Sequence, residues 1–306
     1  MINAILFYYN LKPKKINNTN GYYYFYINNI LYHLIIYYRN NNEIDDIYKL
    51  NNYMLSLGIP VHNILLNKDN KIITYIDNVP YILYKINIPD NKSINLIDIE
   101  KTDINYYYKE LVRDKWDILW SKRIDYLEYH INQNGKKYPI IVESFSYFVG
   151  MCENAISYIR NTYNEEKKEY SDNYTISHDK LIYNNNTYSL FNPLNIIIDH
   201  KSRDIAEYIK LSFFTDNFNI YDELNDYFKR NYFSKYGIRL LFGRLLYPSF
   251  YLDMYDQIIT NNIKEEKILE LISRIKDYEI YLKNIFIFLN KFYPIPEVEW
   301  IMKKTS

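Results

Sequence analysis

The sequence predicts an α+β fold made of two lobes, a small β-rich N-terminal lobe and a large, mainly helical C-terminal lobe. Alternating β-type patterns are confined to the first part of the chain, and helical periodicity dominates beyond residue 103. Between them lies a polar segment rich in turn-forming residues, PDNKS at 89–93. We therefore assign residues 1–88 to the N-lobe, 89–102 to a hinge and 103–306 to the C-lobe.

The N-lobe shows the element order ββαββ. Two β-rich runs flank Asn28-Asn29, and asparagine tolerates the left-handed backbone conformation that a tight hairpin requires. Apolar residues with helical spacing over 43–57 predict one amphipathic helix, which Gly58 ends. A second pair of β-rich runs around Asp77-Asn78 predicts a second hairpin.

The C-lobe pattern is helical apart from one short strand. Leu194 to Ile198 is an apolar run typical of a buried strand, and Asp204 with Glu207 resembles a capping box at the start of the next helix. The predicted helical segments are 103–132, 139–163, 219–234, 237–261 and 263–291.

Composition excludes several classes of function. The 306 residues carry 37 basic and 37 acidic side chains, so no net charge attracts nucleic acid or an anionic membrane. Cys152 is the single cysteine, which excludes an intramolecular disulfide and predicts a buried, reduced thiol. We find no signal-peptide pattern and no apolar run long enough to span a bilayer, and we expect no nucleic-acid partner.

Residues 177–208 hold polar side chains in an ordered series: His178, Asn185, Asp199 and Asp204-Ile205-Ala206. The series resembles the active-site segment of kinases of the aminoglycoside phosphotransferase and choline kinase type. There, an H-G-D-x-x-x-x-N catalytic loop precedes a strand that ends in a metal-binding aspartate, and a D-L-A helix start follows. Lys180 stands where the resemblance places the catalytic aspartate, with Asp179 one residue before it.

Two further positions depart from that kinase pattern. The resemblance places a phosphate-binding lysine at Ile36 and its glutamate partner at Ile47, so both charges of that pair are missing. The first hairpin also lacks a glycine-rich phosphate loop. We therefore expect no cofactor and no cofactor-binding residues, unless the chain is an active enzyme that uses Mg-ATP.

Several segments narrow the resemblance to one family. They are similar to the signature segments of the YutH spore coat proteins, a group related to the CotS-type coat proteins and to the aminoglycoside phosphotransferase-like kinases. This implies a bilobal protein-kinase-like fold and association with the endospore coat. The segments lie at 113–128, 143–159, 199–210, 240–257 and 294–300.

The resemblance assigns vestigial roles to four residues, His178 and Asp179 in catalysis and Asn185 and Asp199 in metal binding. Structural roles compete with each assignment. His178 can be a core histidine, Asp199 can pair with Arg203, and Asp204 is expected to cap its helix. Another hypothesis groups His178, Asp179, Asp199 and His200 as transition-metal ligands.

We therefore expect a pseudokinase that serves as a structural or assembly component of the endospore coat. Its partners would be other coat proteins, and it would be made in the mother-cell cytoplasm before it reaches the coat. One alternative is an active ATP-dependent small-molecule phosphotransferase with a shifted catalytic aspartate. The other is a nucleotide-sensing module without turnover.

Overall fold

A computed structural model of the chain describes residues 1–19, 22–86, 104, 108–181, 190–260 and 262–302. The chain divides into two compact units, which we describe separately. The first comprises Met1–Ile94, Ile104–Val112 and Ile176–Ile198, and the second Asn95–Asp103, Arg113–Thr175 and Asp199–Ser306. The first unit thus includes 176–198, which the sequence assigned to the C-lobe. The expected hinge at 89–102 lies outside the described residues, so that boundary stays a prediction.

The first unit is built on an antiparallel sheet with strand order β1-β2-β3-β6-β4, and β5 also pairs with β6. Both predicted hairpins are present. Asn28-Asn29 and Asp77-Asn78 form their turns, and all four residues have the positive φ that the sequence predicted. The strands are β1 Asn17–Thr19, β2 Tyr22–Ile27, β3 Ile30–Ile36, β4 Asn63–Leu65, β5 Thr74–Ile76 and β6 Val79–Lys85.

Two helices belong to this unit, α1 (Ile2–Tyr9) and α2 (Ile44–Ser56). α2 matches its prediction, and Gly58 follows it with a φ of 70°. α1 was not predicted, because its run of apolar residues has no side-chain N-cap and no charged face that would show a helical period. Ile5 of α1 is fully buried in the core beside Phe25 and the neighbouring strands.

The second unit is mainly helical. Its helices are α3 Trp116–Asn134, α4 Pro139–Glu165, α5 Ser202–Phe214, α6 Ile220–Arg230, α7 Lys235–Leu246, α8 Ser249–Ile259, α9 Ile268–Ser273, α10 Ile275–Leu289 and α11 Glu299–Met302. The predicted helix at 237–261 is divided in two, because Pro248 lies between α7 and α8 and lacks the N–H that a continuous helix needs. The predicted helix at 103–132 begins only at Trp116.

Two short strands, β7 (Tyr174–His178) and β8 (Ile196–His200), pair with each other. β8 begins two residues later than predicted, because Pro193–Asn195 forms a 3-10 turn, and Asp199 therefore lies within the strand. The prediction that Asp204 caps its helix is wrong. α5 already begins at Ser202, so Asp204 lies in its first turn, where a negative charge faces the positive end of the helix dipole.

Candidate functional site

Asp199, the expected metal ligand, is fully buried in β8. Its Oδ1 accepts a hydrogen bond from the backbone N–H of His200 at 2.7 Å. Its Oδ2 accepts from Nε1 of Trp116 at 2.9 Å and from Nη1 of Arg203 at 2.7 Å. The ion pair with Arg203, which the sequence left as an alternative, is therefore present.

This environment does not fit Mg²⁺. Magnesium takes oxygen ligands at about 2.0–2.1 Å and usually keeps several waters in an octahedral shell. At Asp199 a guanidinium and an indole N–H already lie against Oδ2, and the arginine places a positive charge where the cation would bind. A metal would have to displace both donors in a part of the unit where Asp199 has no exposed surface.

Further buried charges lie along α5 and α7. Oε1 of Glu207 accepts from Nζ of Lys210 at 3.0 Å and from Nε of Arg244 at 2.9 Å. Its Oε2 accepts from the hydroxyl of Ser249 at 3.2 Å. Burial alone would raise the pKa of Glu207, but the attraction of Lys210 and Arg244 outweighs it and lowers this pKa to about 2. Buried acidic and basic side chains are thus paired with one another along these two helices. We call Asp199, Arg203, Glu207, Lys210 and Arg244 the ionic core.

His200 connects β8 to the loop before β7. Its Nδ1 accepts from the backbone N–H of Ser202 at 3.1 Å and lies 2.8 Å from Oγ of the same serine. The proton therefore lies on Nε2, which donates to Oδ1 of Asp172 at 3.1 Å. Burial lowers the pKa of His200, so the imidazole is neutral. Although the order Ser-His-Asp resembles a hydrolase triad, Ser202 is fully buried and its hydroxyl is not offered to a substrate.

In the first unit, His178 ends β7 and is buried, whereas Asp179 and Lys180 are exposed. The backbone N–H of Asp179 donates to the carbonyl oxygen of Asn195 at 2.7 Å. The amide of Asn195 also accepts from the N–H of Lys180 at 3.0 Å and donates to its carbonyl at 2.8 Å. Asn185 lies outside the described residues.

Asn195, which the sequence reasoning did not consider, contacts the backbone of Lys180 and is a second candidate for the asparagine of the motif, beside the untested Asn185. Counting four residues along the catalytic-loop motif led to Asn185. The order of the motif held a second signal, since its asparagine should precede the strand that carries the aspartate. Asn195 stands directly before β8, where Asp199 lies.

Arg39 has a role that the sequence also did not reveal. It follows β3, forms a buried ion pair with Glu43, and donates through Nη1 to the carbonyls of Leu194 at 3.2 Å and Ile196 at 2.8 Å. These bonds tie the backbone before β8 to the end of the sheet within the first unit. The acceptors are two backbone carbonyls far along the chain, and no pattern in the sequence marks residues that will form such a contact.

Ile36 and Ile47 stand where the resemblance places the lysine and glutamate of the kinases, and both lie in regular secondary structure. Ile36 is the last residue of β3 and pairs with Tyr81, and Ile47 is buried on α2.

Cys152 is buried, as the sequence predicted. This burial raises the pKa of its thiol to about 12.

Within the described part of the chain, no three His, Cys, Asp or Glu side chains are placed to hold a metal ion. His178 and Asp179 belong to the first unit and Asp199 and His200 to the second, so a transition-metal site made by these four residues stays a hypothesis. Likewise, none of the helices in these described ranges has the length and apolar character needed to cross a bilayer.

The sheet-plus-helices architecture defines a class, the aminoglycoside phosphotransferase-like fold. The structure is similar to AMP-bound spectinomycin phosphotransferase, with a TM-score of 0.56 over 100% of this chain and 98% of that one at 11% identity. It is also similar to an aminoglycoside phosphotransferase of Alicyclobacillus acidocaldarius, with a TM-score of 0.56 over 95% and 93% of the chains at 8% identity. The expected kinase-like α+β fold is confirmed.

The chain belongs to the YutH family of spore coat proteins. The family model described as "Spore coat putative kinase YutH" matches residues 2–286. The endospore coat-associated protein YutH of Bacillus subtilis strain 168 is 25% identical over 296 residues, which cover 86% of this chain and 86% of that protein.

Proposed function

We propose that this chain is a structural or assembly component of the endospore coat that keeps a kinase-like fold without phosphoryl transfer. The environment of Asp199 carries the proposal. Phosphoryl transfer in this fold needs a carboxylate that is free to bind a magnesium ion. Here a backbone N–H, an indole N–H and a guanidinium engage both oxygens of that carboxylate.

Other positions support the same conclusion. Lys180 stands at the position expected for the catalytic base, and a lysine does not accept a proton from a substrate hydroxyl near neutral pH. The amide oxygen of Asn195 accepts from the backbone of Lys180. Ile36 and Ile47 bring no charge to a nucleotide phosphate. His178 and Asp179 are thus vestigial catalytic residues, and we propose that no cofactor is used.

A thermal melt with Mg-ATP tests the absence of a nucleotide site. A ligand at a hundred times its dissociation constant stabilises a protein by about 2.7 kcal/mol, which raises the melting temperature visibly. We expect no shift at millimolar Mg-ATP, and none for an Arg203→Met variant measured in parallel. A dose-dependent rise of several degrees in the unmodified protein contradicts the proposal.

The exposed carboxylate of Asp179 favours one alternative, an ATP-dependent small-molecule phosphotransferase with a shifted base. Turnover of ATP that disappears in Asp179→Asn would establish it. Binding of Mg-ATP without turnover would instead identify the nucleotide-sensing module. ATP turnover that survives Asp179→Asn would mean that the activity belongs to another site or to a contaminating enzyme.

Family membership supports the location. We propose synthesis in the mother-cell cytoplasm, followed by assembly on the forespore through contacts with other coat proteins. A fluorescent fusion should then form a shell around the developing spore, and the same fusion should stay diffuse in vegetative cells, where coat partners are absent. A fusion that stays diffuse during sporulation, or enters the spore core, contradicts this location.

A further inference from the structure

Two tyrosines that are far apart in sequence meet at the surface of the second unit. The hydroxyl of Tyr293 donates to the hydroxyl oxygen of Tyr232, and the two oxygens lie 3.3 Å apart. Tyr232 is 56% exposed and Tyr293 is half-buried, so dissolved reagents can reach the pair. The two residues are 61 positions apart, since Tyr232 lies between α6 and α7 and Tyr293 follows α10. The contact therefore joins two distant segments of the chain at an accessible place.

Packed aromatic rings hold both tyrosines in position. Phe233, next to Tyr232, packs on the ring of Phe228 with a centroid distance of 5.3 Å. Phe292, next to Tyr293, packs on the same ring at 4.9 Å. Aromatic pairs at these distances stabilise a structure beyond the area that they bury. The two backbone segments are thus fixed beside each other, and the meeting of the hydroxyls does not depend on the tips of the side chains alone.

A carboxylate completes the group. The hydroxyl of Tyr232 donates to Oε2 of Glu169 at 2.9 Å, so a chain of hydrogen bonds runs from Tyr293 through Tyr232 to Glu169. The hydrogen bonds with Tyr293 and Glu169 raise the pKa of the Tyr232 phenol, which is therefore neutral at physiological pH. A neutral phenol loses a proton when it is oxidised by one electron, and Glu169 is placed to accept that proton.

We propose that Tyr232 and Tyr293 form a covalent bond with each other when a peroxide-driven one-electron oxidant reaches them. Each phenol loses one electron and one proton, and one molecule of hydrogen peroxide takes up the two electrons and two protons and becomes two molecules of water. The two tyrosyl radicals then join through a carbon atom ortho to each hydroxyl. The hydrogens on those carbons move to the oxygens and restore both hydroxyl groups. The product is a dityrosine, and the protein has lost two hydrogen atoms.

The geometry favours a bond within one molecule over links between molecules. In each phenol only one ring carbon separates the ortho carbon from the oxygen. Oxygens that lie 3.3 Å apart therefore bring the ortho carbons within a side-chain rotation of each other. Two radicals held in one molecule react at an effective concentration that separate molecules in solution do not reach. The bond would tie the segment after α10 to the segment before α7.

Oxidation of the purified full chain by a heme peroxidase and hydrogen peroxide tests the proposal, and the outcome does not depend on the coat assignment. Peptide mapping of the monomer by mass spectrometry should find Tyr232 joined to Tyr293, with the loss of two hydrogen atoms. The linked fraction should not change when the protein is diluted. Tyr232→Phe and Tyr293→Phe should each lose the link completely. Glu169→Gln should form it at least about tenfold more slowly, because the positioned base is lost.

Tyr170→Phe is the matched control. It removes a phenol that is 91% exposed and adjacent to Glu169, and it should form the link at the rate of the unmodified protein. If a variant melts early, the map of the unmodified protein still decides whether the link forms. Dityrosine found only between molecules, an oxidised monomer without the link between Tyr232 and Tyr293, or an unchanged rate in Glu169→Gln would each overturn the proposal.

Discussion

Arg203 follows Asp199 by four residues, and its Nη1 donates to Oδ2 of that carboxylate at 2.7 Å with both side chains buried. The pair makes Asp199 part of the ionic core. Its charges are compensated inside the protein, so the carboxylate contributes to stability only as long as its partner remains.

Arg203→Met should therefore destabilise the protein strongly. Removing one member of a buried ion pair leaves an uncompensated charge and costs about 3–5 kcal/mol in free energy of unfolding. The double variant Asp199→Asn/Arg203→Met should recover part of this loss, because it removes the stranded charge. Urea unfolding measures both.

Lys229→Met is the control for this prediction. Lys229 pairs with Asp226, but both side chains are largely exposed, so the loss should stay within about 1 kcal/mol. Equal losses for the buried and the exposed variant would show that Arg203 does not stabilise Asp199.

The lowered pKa of Glu207 predicts that the protein loses stability at acidic pH. Its pKa is lowered to about 2 from the usual 4.5, so the unfolded chain binds more protons than the folded protein between these pH values. The stability due to Glu207 is complete above pH 4.5 and is lost as pH falls toward 2. Glu207→Gln should flatten the dependence of the unfolding free energy on pH across this window. An unchanged slope would contradict the lowered pKa.

Ser234 should be another sensitive position. Its hydroxyl caps α7 by accepting from the N–H of Gly237 at 2.9 Å, and it contacts Oδ1 and Oδ2 of Asp172 at 2.6 and 2.8 Å. Ser234→Ala removes the cap and leaves a buried carboxylate short of a donor, which should cost about 1–3 kcal/mol. Ser273→Ala is the control, since that exposed hydroxyl contacts only the carbonyl of Glu270. Matching losses in urea unfolding would contradict the role of Ser234.

Local signals explain which elements the sequence could predict. The hairpin turns and the end of α2 depend on residues that favour left-handed backbone, and these were predicted correctly. α1 also ends at a left-handed residue, Asn10, but its short apolar run shows no helical period, so the helix was missed. The start of β8 was misplaced because the apolar Leu194 belongs to a 3-10 turn. Periodicity reports which side chains are buried, and it does not report the backbone conformation at each end.

The candidate site was less predictable than the fold for a physical reason. The motif order found Asp199, and the sequence reasoning named nearby Arg203 as its alternative partner. Trp116 and the carbonyls bound by Arg39 lie far away in sequence, so only the folded structure brings them to their partners. Whether a motif aspartate is free or engaged depends on such distant donors.

Replacing a helical glycine by alanine should lower the free energy of unfolding at Gly243 and raise it at Gly150. Gly243 on α7 faces α4, where an added Cβ would lie 2.6 Å from Cδ1 of Ile159 and 3.0 Å from Cδ1 of Tyr158. Gly150 lies inside α4 with nothing within 4 Å of an added Cβ. Gly243→Ala should cost about 1–3 kcal/mol, because the packed helices must separate or distort a rotamer. Gly150→Ala should add about 0.5–1 kcal/mol, because alanine restricts the unfolded chain and favours the helix. Urea unfolding of the two variants beside the unmodified protein decides the matter. Stabilisation by both would mean that helix propensity dominates and that α4 and α7 do not pack as closely as the structure places them.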